Sequence, residues 1–218
     1  MKLVYFNGRG LAETSRLLLA AAGAEYEDFR YPLEVIDWAT HDFKKDAFDA
    51  DKAAGKLTQS LDKLPYLEVD GHVIPQSKAI ERFLAQKHNM YGCDVHESAQ
   101  IDAICEFVRD FKQEYQKTRA LQGAEREAGM STWFSTTLPK RLAALDAIIA
   151  PDSDFAVGGQ LSLADLTLFG FVTQFFDDAK ASRQAAASSA PRIHRVVSAV
   201  DALPAVRAWI ERRPDTPF

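Results

Sequence analysis

The stretch Leu64-Pro65-Tyr66-Leu67-Glu68-Val69-Asp70-Gly71-His72-Val73-Ile74-Pro75-Gln76-Ser77-Lys78-Ala79-Ile80-Glu81-Arg82-Phe83-Leu84 decides the fold. Tyr66 to Val69 alternates and carries strand formers, Asp70-Gly71 is a two-residue hairpin turn, and His72 to Ile74 is a short return strand. Ser77 then reads as the N-cap of a helix whose apolar positions Ile80, Phe83 and Leu84 recur at helical spacing. The N-terminus of that helix faces the hairpin. Free backbone N–H groups at such an end attract a carboxylate or phosphate, so Gln76-Ser77 is a candidate anion site. Pro65, directly before a strand, has a function if its peptide bond is cis, because Leu64 then offers its N–H and C=O to an extended peptide ligand. A plain hairpin followed by a capped helix is the alternative.

Totals narrow the choice of partner. With 218 residues, 47% of them hydrophobic, the chain can bury a core of one large or two modest domains. Its formal charge of −5 leaves no basic footprint for nucleic acid or anionic lipid, which points to a small-molecule partner. The two cysteines, Cys93 and Cys105, form neither a disulfide framework nor a C-x-x-C motif. The opening Met-Lys-Leu-Val-Tyr-Phe-Asn has too few apolar residues for a signal sequence, and no run approaches a membrane span. A cytoplasmic location, without membrane or nucleic-acid partners, is the expectation.

Upstream of the hairpin, Lys2 to Phe6 reads as a strand and Ala12 to Ala22 as a buried helix stopped by Gly23. Tyr26 to Tyr31 reads as a second strand. This βαβ unit implies two parallel neighbours. With the hairpin and its helix the order becomes βαβ-α-ββα, an α/β thioredoxin-like domain. Residues 34 to 63 suggest one or two irregular helices. Gly8-x-Gly10 is not a dinucleotide site, because Glu13 stands where the third glycine belongs and would oppose pyrophosphate. Gly55-Lys56 lacks the rest of a phosphate loop, and Asp49-x-Asp51 lacks the rest of a calcium loop. His88, Cys93 and His96 lack a fourth ligand and a zinc spacing, so no metal is expected.

Domain boundaries follow the change in pattern: 1–88 for the α/β domain, 89–97 for a linker, and 98–218 for an all-α C-terminal domain. Ile101, Ile104, Cys105, Val108, Phe111 and Tyr115 mark one face of a long helix. Leu138, Leu142, Leu145 and Ile149 mark another, ended by Pro151, and Ser162-Leu163-Ala164-Asp165 is a capping box that starts a third. Two more helices open on Pro191 and Pro204. The Ala/Ser-rich stretch at 181–190 reads as a loop or a frayed end.

Three runs together carry a family resemblance: Leu64 to Gly71 with Gln76 to Ile80, Tyr5-Phe6-Asn7-Gly8-Arg9-Gly10-x-Ala12-Glu13, and Gly158-x-x-x-Ser162-x-Ala164-Asp165-Leu166. The chain resembles the cytosolic glutathione S-transferases of the tyrosine type, most closely the sigma class, with mu, pi and alpha next. The resemblance implies that glutathione is the co-substrate, that no further cofactor is needed, and that the protein is a homodimer. It implies Tyr5 as the catalytic residue. For binding glutathione it implies Leu64 and Pro65 at the cysteinyl backbone and Gln76 and Ser77 at the γ-glutamyl carboxylate. Trp38 with Lys56 or Lys63 would serve the glycyl end, and Asp102 would reach the glutamyl amine across the dimer. The apolar electrophile would meet Phe6, Asn7, Phe107, Phe111 and Phe218. A second family arginine is replaced here by Leu11.

The implied chemistry is a pKa problem. A thiol titrates at about 8.5, and lowering that by one to two units takes about 1.4–2.7 kcal/mol of preference for the thiolate. One hydrogen bond to a charged acceptor supplies about 1.5–3 kcal/mol. A single well-aimed phenol therefore nearly suffices. The leading expectation is conjugation of glutathione to an apolar electrophile. The alternatives are a glutathione-dependent isomerase or peroxidase acting on prostaglandin-like substrates, or a non-catalytic ligand-binding or crystallin-like protein.

Overall fold

A run of alternating and β-branched residues becomes the sheet, and each apolar helical stripe becomes a buried face. The structure, a computed structural model, describes residues 1–37 and 42–216. Strands β1 (Lys2–Phe6), β2 (Glu27–Tyr31), β5 (Tyr66–Val69) and β6 (His72–Pro75) form one sheet in the order β2-β1-β5-β6. β1 runs parallel to β2 and antiparallel to β5, while β5 and β6 close the hairpin. Asp70 and Gly71 turn the hairpin with φ of 50° and 79°, the left-handed pair that matches strand twist. Helix α1 (Glu13–Ala21) crosses between β1 and β2, and its Leu17, Leu18 and Leu19 are fully buried. This is the thioredoxin-like order expected.

Residues 34 to 63 differ from expectation. In place of irregular helices alone, the chain forms a second small hairpin from β3 (Glu34–Asp37) and β4 (Asp42–Lys44), followed by α2 (Asp46–Ala53). Val35 opposes Phe43 and Glu34 opposes Lys44, an apolar pair beside an opposite-charge pair that stabilises the ladder. The flanking charges hide this alternation in the sequence. Phe48 of α2 joins Val4, Tyr31 and Leu57 in a buried cluster, with Leu64 and Tyr66 packed against it.

Helix α3 (Ser77–Lys87) corrects a second expectation. Ser77 is its first residue and not its N-cap; Gln76 caps it, its carbonyl accepting the Ile80 N–H at 3.0 Å. Gln76 holds φ at +74°, so the chain leaves β6 by a sharp turn that one residue must absorb.

By contact, the chain divides into two compact units: Met1–Leu84 together with the C-terminal segment from Ala208, and Ala85–Arg207. The second unit is all helical. Asp94 caps α4 (Val95–Arg119), accepting the N–H groups of His96 and Glu97 at 2.8 and 2.9 Å. Every apolar position that marks its face in the sequence is buried. α5 (Gly123–Thr132) runs through a wide π-helical turn at Trp133–Thr137 into α6 (Leu138–Asp146). A second π turn at Phe171–Phe175 follows α7 (Leu163–Gly170). These turns gather Trp133, Phe175 and Phe176 around Tyr115, with ring centroids 5.3, 5.6 and 4.8 Å away. The Ala/Ser stretch expected as a loop or a frayed helix end is the full helix α8 (Ala179–Ser189), capped by Asp178; alanine favours helix, and Ala185 and Ala186 are buried. α9 (Pro191–Asp201) and α10 (Pro204–Arg212) open on prolines as expected.

The capping box at α7 is present. The Asp165 carboxylate accepts the Ser162 N–H (2.6 Å), the Ser162 hydroxyl (2.7 Å) and the Ala156 N–H (2.5 Å). Asp165→Ala strands these donors in a dry interior and is expected to cost about 2–4 kcal/mol, read from the urea-denaturation midpoint. Burial pushes the Asp165 carboxyl up to about 6, against these hydrogen bonds. A folded-state value above the unfolded one means stability falls as pH rises between them. The margin over Asp165→Ala is therefore expected to narrow as pH rises from about 4 through that value.

Candidate active site

Tyr5 lies near the C-terminal end of β1, paired in register with Arg30 of β2. The chain then turns through Asn7-Gly8-Arg9, fixed by the Asn7 N–H donating to Tyr31 O (2.8 Å), and makes one 3-10 turn at Gly10–Ala12 before α1. That turn carries the Leu11 N–H to the Tyr5 hydroxyl oxygen, 3.2 Å away. Gly10 is required for this approach: its φ is +37°, and a Cβ there would lie 2.6 Å from the hydroxyl oxygen. The phenol oxygen thus accepts from the backbone and keeps its own hydrogen to donate elsewhere. Burial raises the phenol's pKa, and the Leu11 N–H and the Arg16 charge pull it partly back. At neutral pH the group is a protonated, polarised donor.

Arg16 was not selected from the sequence, although a charge inside an Ala/Leu helix is the sign that could have found it. Its side chain is fully buried. Nη1 donates to Gly8 O at 2.6 Å, Nε donates to Asp28 at 3.1 Å, and the guanidinium carbon lies 5.9 Å from the Tyr5 ring centroid. Glu13, whose side chain would oppose a pyrophosphate, is also buried. It accepts from Trp209 Nε1 (2.9 Å) and from Arg213 of the C-terminal segment.

Leu64–Pro65 is a cis peptide immediately before β5, and Pro65 is buried while Leu64 is half-buried. Beside the hairpin, the Ile80 N–H is taken by Gln76. The N–H groups of Ser77, Lys78 and Ala79 have no acceptor within the helix and carry its positive dipole end. Lys63, exposed, precedes Leu64. Lys56 is exposed and ion-paired to Asp51 at 2.7 Å, which, with the Tyr31 hydroxyl at 2.8 Å, holds that carboxyl below its usual range.

The first unit thus carries a half-exposed phenol donor at the end of β1, a cis proline ahead of β5 and a helix N-terminus after β6. Residues 1–86 match the glutathione S-transferase N-terminal domain and residues 103–213 match the glutathione S-transferase C-terminal domain. The chain belongs to the glutathione S-transferase family. It is 35% identical to hematopoietic prostaglandin D synthase of Gallus gallus over 99% of this chain and 97% of that one. It is 31% identical to glutathione S-transferase 1 of Ascaris suum over 100% and 98% of the two chains. Among solved structures, monomeric Na-GST-3, a glutathione S-transferase from the hookworm Necator americanus, superposes with a TM-score of 0.77 at 30% identity, covering 100% of this chain and 98% of that one.

The remaining expected residues of this transferase fall in the first unit, in the second, or outside the described residues. Trp38 and Phe218 lie outside the described residues. Phe6 packs on Phe48 at 5.1 Å and joins the first unit's core cluster, and the Asn7 side-chain oxygen faces Arg30 at 3.5 Å. In the second unit, Phe111 is buried against Phe171, Phe107 is 47% exposed, and Asp102 is half-buried on α4. Leu11, in place of the family arginine, is 58% exposed and donates its backbone N–H to Tyr5.

Gly10→Ala forces the new methyl against the phenol oxygen at a backbone angle that alanine rarely adopts. Transferase turnover is expected to fall at least about tenfold while the unfolding midpoint drops by no more than about 1–3 kcal/mol of stability. Steady-state kinetics beside a denaturation curve check this.

Proposed function

We propose that this glutathione S-transferase ionises the glutathione thiol beside Tyr5 and joins the thiolate to an apolar electrophile. The observation that carries this is the Leu11 N–H donating to the Tyr5 oxygen, which leaves the phenol hydrogen free to point at a sulfur. In the step, the glutathione S–H proton leaves to solvent and Tyr5 keeps its own. The sulfur lone pair forms the new C–S bond, and the displaced pair goes to a leaving group or to a carbon that is then protonated. Leu64 would pair with the cysteinyl backbone, and Gln76 and Ser77 would hold the γ-glutamyl carboxylate at the start of α3. Lys63 is the better partner for the glycyl carboxylate, with Trp38, because Lys56 already holds Asp51. Phe6, Phe107, Phe111 and Phe218 would offer apolar surface to the electrophile, and Asn7 a polar contact.

The same reading makes the protein a tyrosine-type transferase of the sigma class, with residues 1–88 binding glutathione, 89–97 linking, and 98–218 forming the helical half. It makes it a cytoplasmic homodimer in which Asp102 reaches the partner's glutathione. The two free cysteines fit a reducing compartment. Among the described residues no helix is long and apolar enough to cross a membrane. Size-exclusion chromatography with light scattering tests the dimer, and its outcome is informative because a similar structure is described as monomeric.

A second reading rests on the 35% identity to a prostaglandin D synthase: the thiolate attacks one oxygen of a prostaglandin-like peroxide, the O–O bond breaks and the other oxygen takes a proton to become a hydroxyl, and loss of a proton from the carbon bearing the sulfur-bound oxygen then forms a C=O and expels the thiolate, returning glutathione unchanged. Product analysis separates it from conjugation, since only conjugation consumes glutathione.

Tyr5→Phe keeps the ring and deletes the donor. Its conjugation rate at neutral pH is expected to fall about 10- to 100-fold, as loss of one hydrogen bond to a charged acceptor predicts. The midpoint of the rate–pH profile is expected to move up by about one to two units. A rate and midpoint equal to the parent protein's would remove Tyr5 from the mechanism.

A further inference from the structure

Around Tyr5 the first unit buries more charge than a thioredoxin-like core needs. Arg16 of α1 touches Glu13 of the same helix (3.7 Å) and Asp28 of β2 (3.1 Å). Each of those carboxylates has a second cation. Arg30 of β2 meets Asp28 at 2.7 Å, and Arg213 of the C-terminal segment meets Glu13. The Tyr26 phenol, ahead of β2, lies within the field of the same groups, and Arg9 feels Arg213, Glu13 and Asp215. Within the linked cluster the guanidiniums of Arg16, Arg30 and Arg213 share the carboxylates of Glu13 and Asp28. The Arg16 guanidinium carbon lies 5.9 Å from the Tyr5 ring centroid, and its Nη2 is buried with no hydrogen-bond acceptor among the described residues.

We infer that Arg16 is a positioning residue for the reaction. Its guanidinium supplies, from inside the helix, the positive field on the Tyr5 phenol that an arginine at position 11 would supply from the surface. Two physical facts carry this. A cation over a phenol ring draws electron density from it and makes its O–H a stronger donor. Burial keeps that field from being screened, whereas an exposed side chain at position 11 acts through water. Arg16 also holds the Gly8 carbonyl at 2.6 Å, so the same side chain fixes the turn that brings the Leu11 N–H beneath the phenol oxygen. The inference rests on Tyr5 acting as the thiolate's hydrogen-bond donor.

The test follows the ultraviolet absorbance of the glutathione thiolate on the enzyme as a function of pH, together with kcat/KM. Arg16→Gln is expected to raise the bound thiol's pKa by about one unit, a roughly tenfold loss of thiolate at neutral pH. Arg16→Lys, which keeps the charge, should restore most of it. Adding Leu11→Arg to Arg16→Gln should also restore it, because that side chain brings a cation back to the phenol from the other side. In a Tyr5→Phe background Arg16→Gln should cause no further shift. Should Arg16→Gln alone not fold, Asp28→Asn/Arg16→Gln measured against Asp28→Asn leaves no orphaned carboxylate and reads the same shift. An unchanged thiol pKa in a folded Arg16→Gln protein, or an equal loss with Phe at position 5, overturns the inference and makes Arg16 merely structural. Full activity of Tyr5→Phe by itself would instead overturn the role of Tyr5.

Discussion

A fully buried guanidinium in a helix of leucine and alanine constrains the whole first unit. Taking Arg16 out of water is tolerable only where its donors find oxygens and its charge finds carboxylates. The oxygens come from three places: the Gly8 carbonyl just after β1, Glu13 one turn back along α1, and Asp28 in β2. Those contacts join the strand, the crossover helix and the parallel neighbour through one side chain. Trp209 and Arg213 complete the arrangement by binding Glu13, so the end of the chain belongs to the unit that its beginning founded.

The geometry around Tyr5 is a by-product of that constraint. The Gly8 carbonyl can reach Arg16 only if the chain turns sharply after Phe6, and the turn delivers Gly10 and Leu11 under the Tyr5 oxygen. A side chain at Gly10 would occupy the space the phenol uses. Position 11 thus keeps its backbone contact with Tyr5 although leucine stands there. The helical unit solves a parallel problem with Asp165, a buried carboxylate that satisfies three donors at the start of α7. In both units a polar side chain placed inside an apolar element organises the loops that meet it.

Much of the sheet was legible. Lys2 to Phe6, the Asp70-Gly71 hairpin and the capping box at Ser162 use local rules of alternation, turn chemistry and capping, which a short window contains. The long helix was legible from Ile101 to Tyr115 because one face repeats for four turns. The β3-β4 hairpin was not, since its alternation is diluted by charges that only strand pairing neutralises. Helix α8 was missed for the opposite reason: alanine and serine carry no amphipathic stripe strong enough to show that Ala185 and Ala186 face a core. Ser77 was placed one position too early because capping preference favours serine, while the turn out of β6 put Gln76 at the cap.

The sequence by itself determined the two-part architecture, the hairpin with the helix that follows it, and the family to which the chain belongs, because each depends on residues close together in the chain. Tertiary structure alone decided what surrounds Tyr5. Leu11 is six residues from it, Asp28 is twelve residues from Arg16, and Arg213 is two hundred residues from Glu13. No pattern in the sequence pairs charges at such separations. Only the folded chain, by excluding water from Arg16, made those distant groups answer to one another.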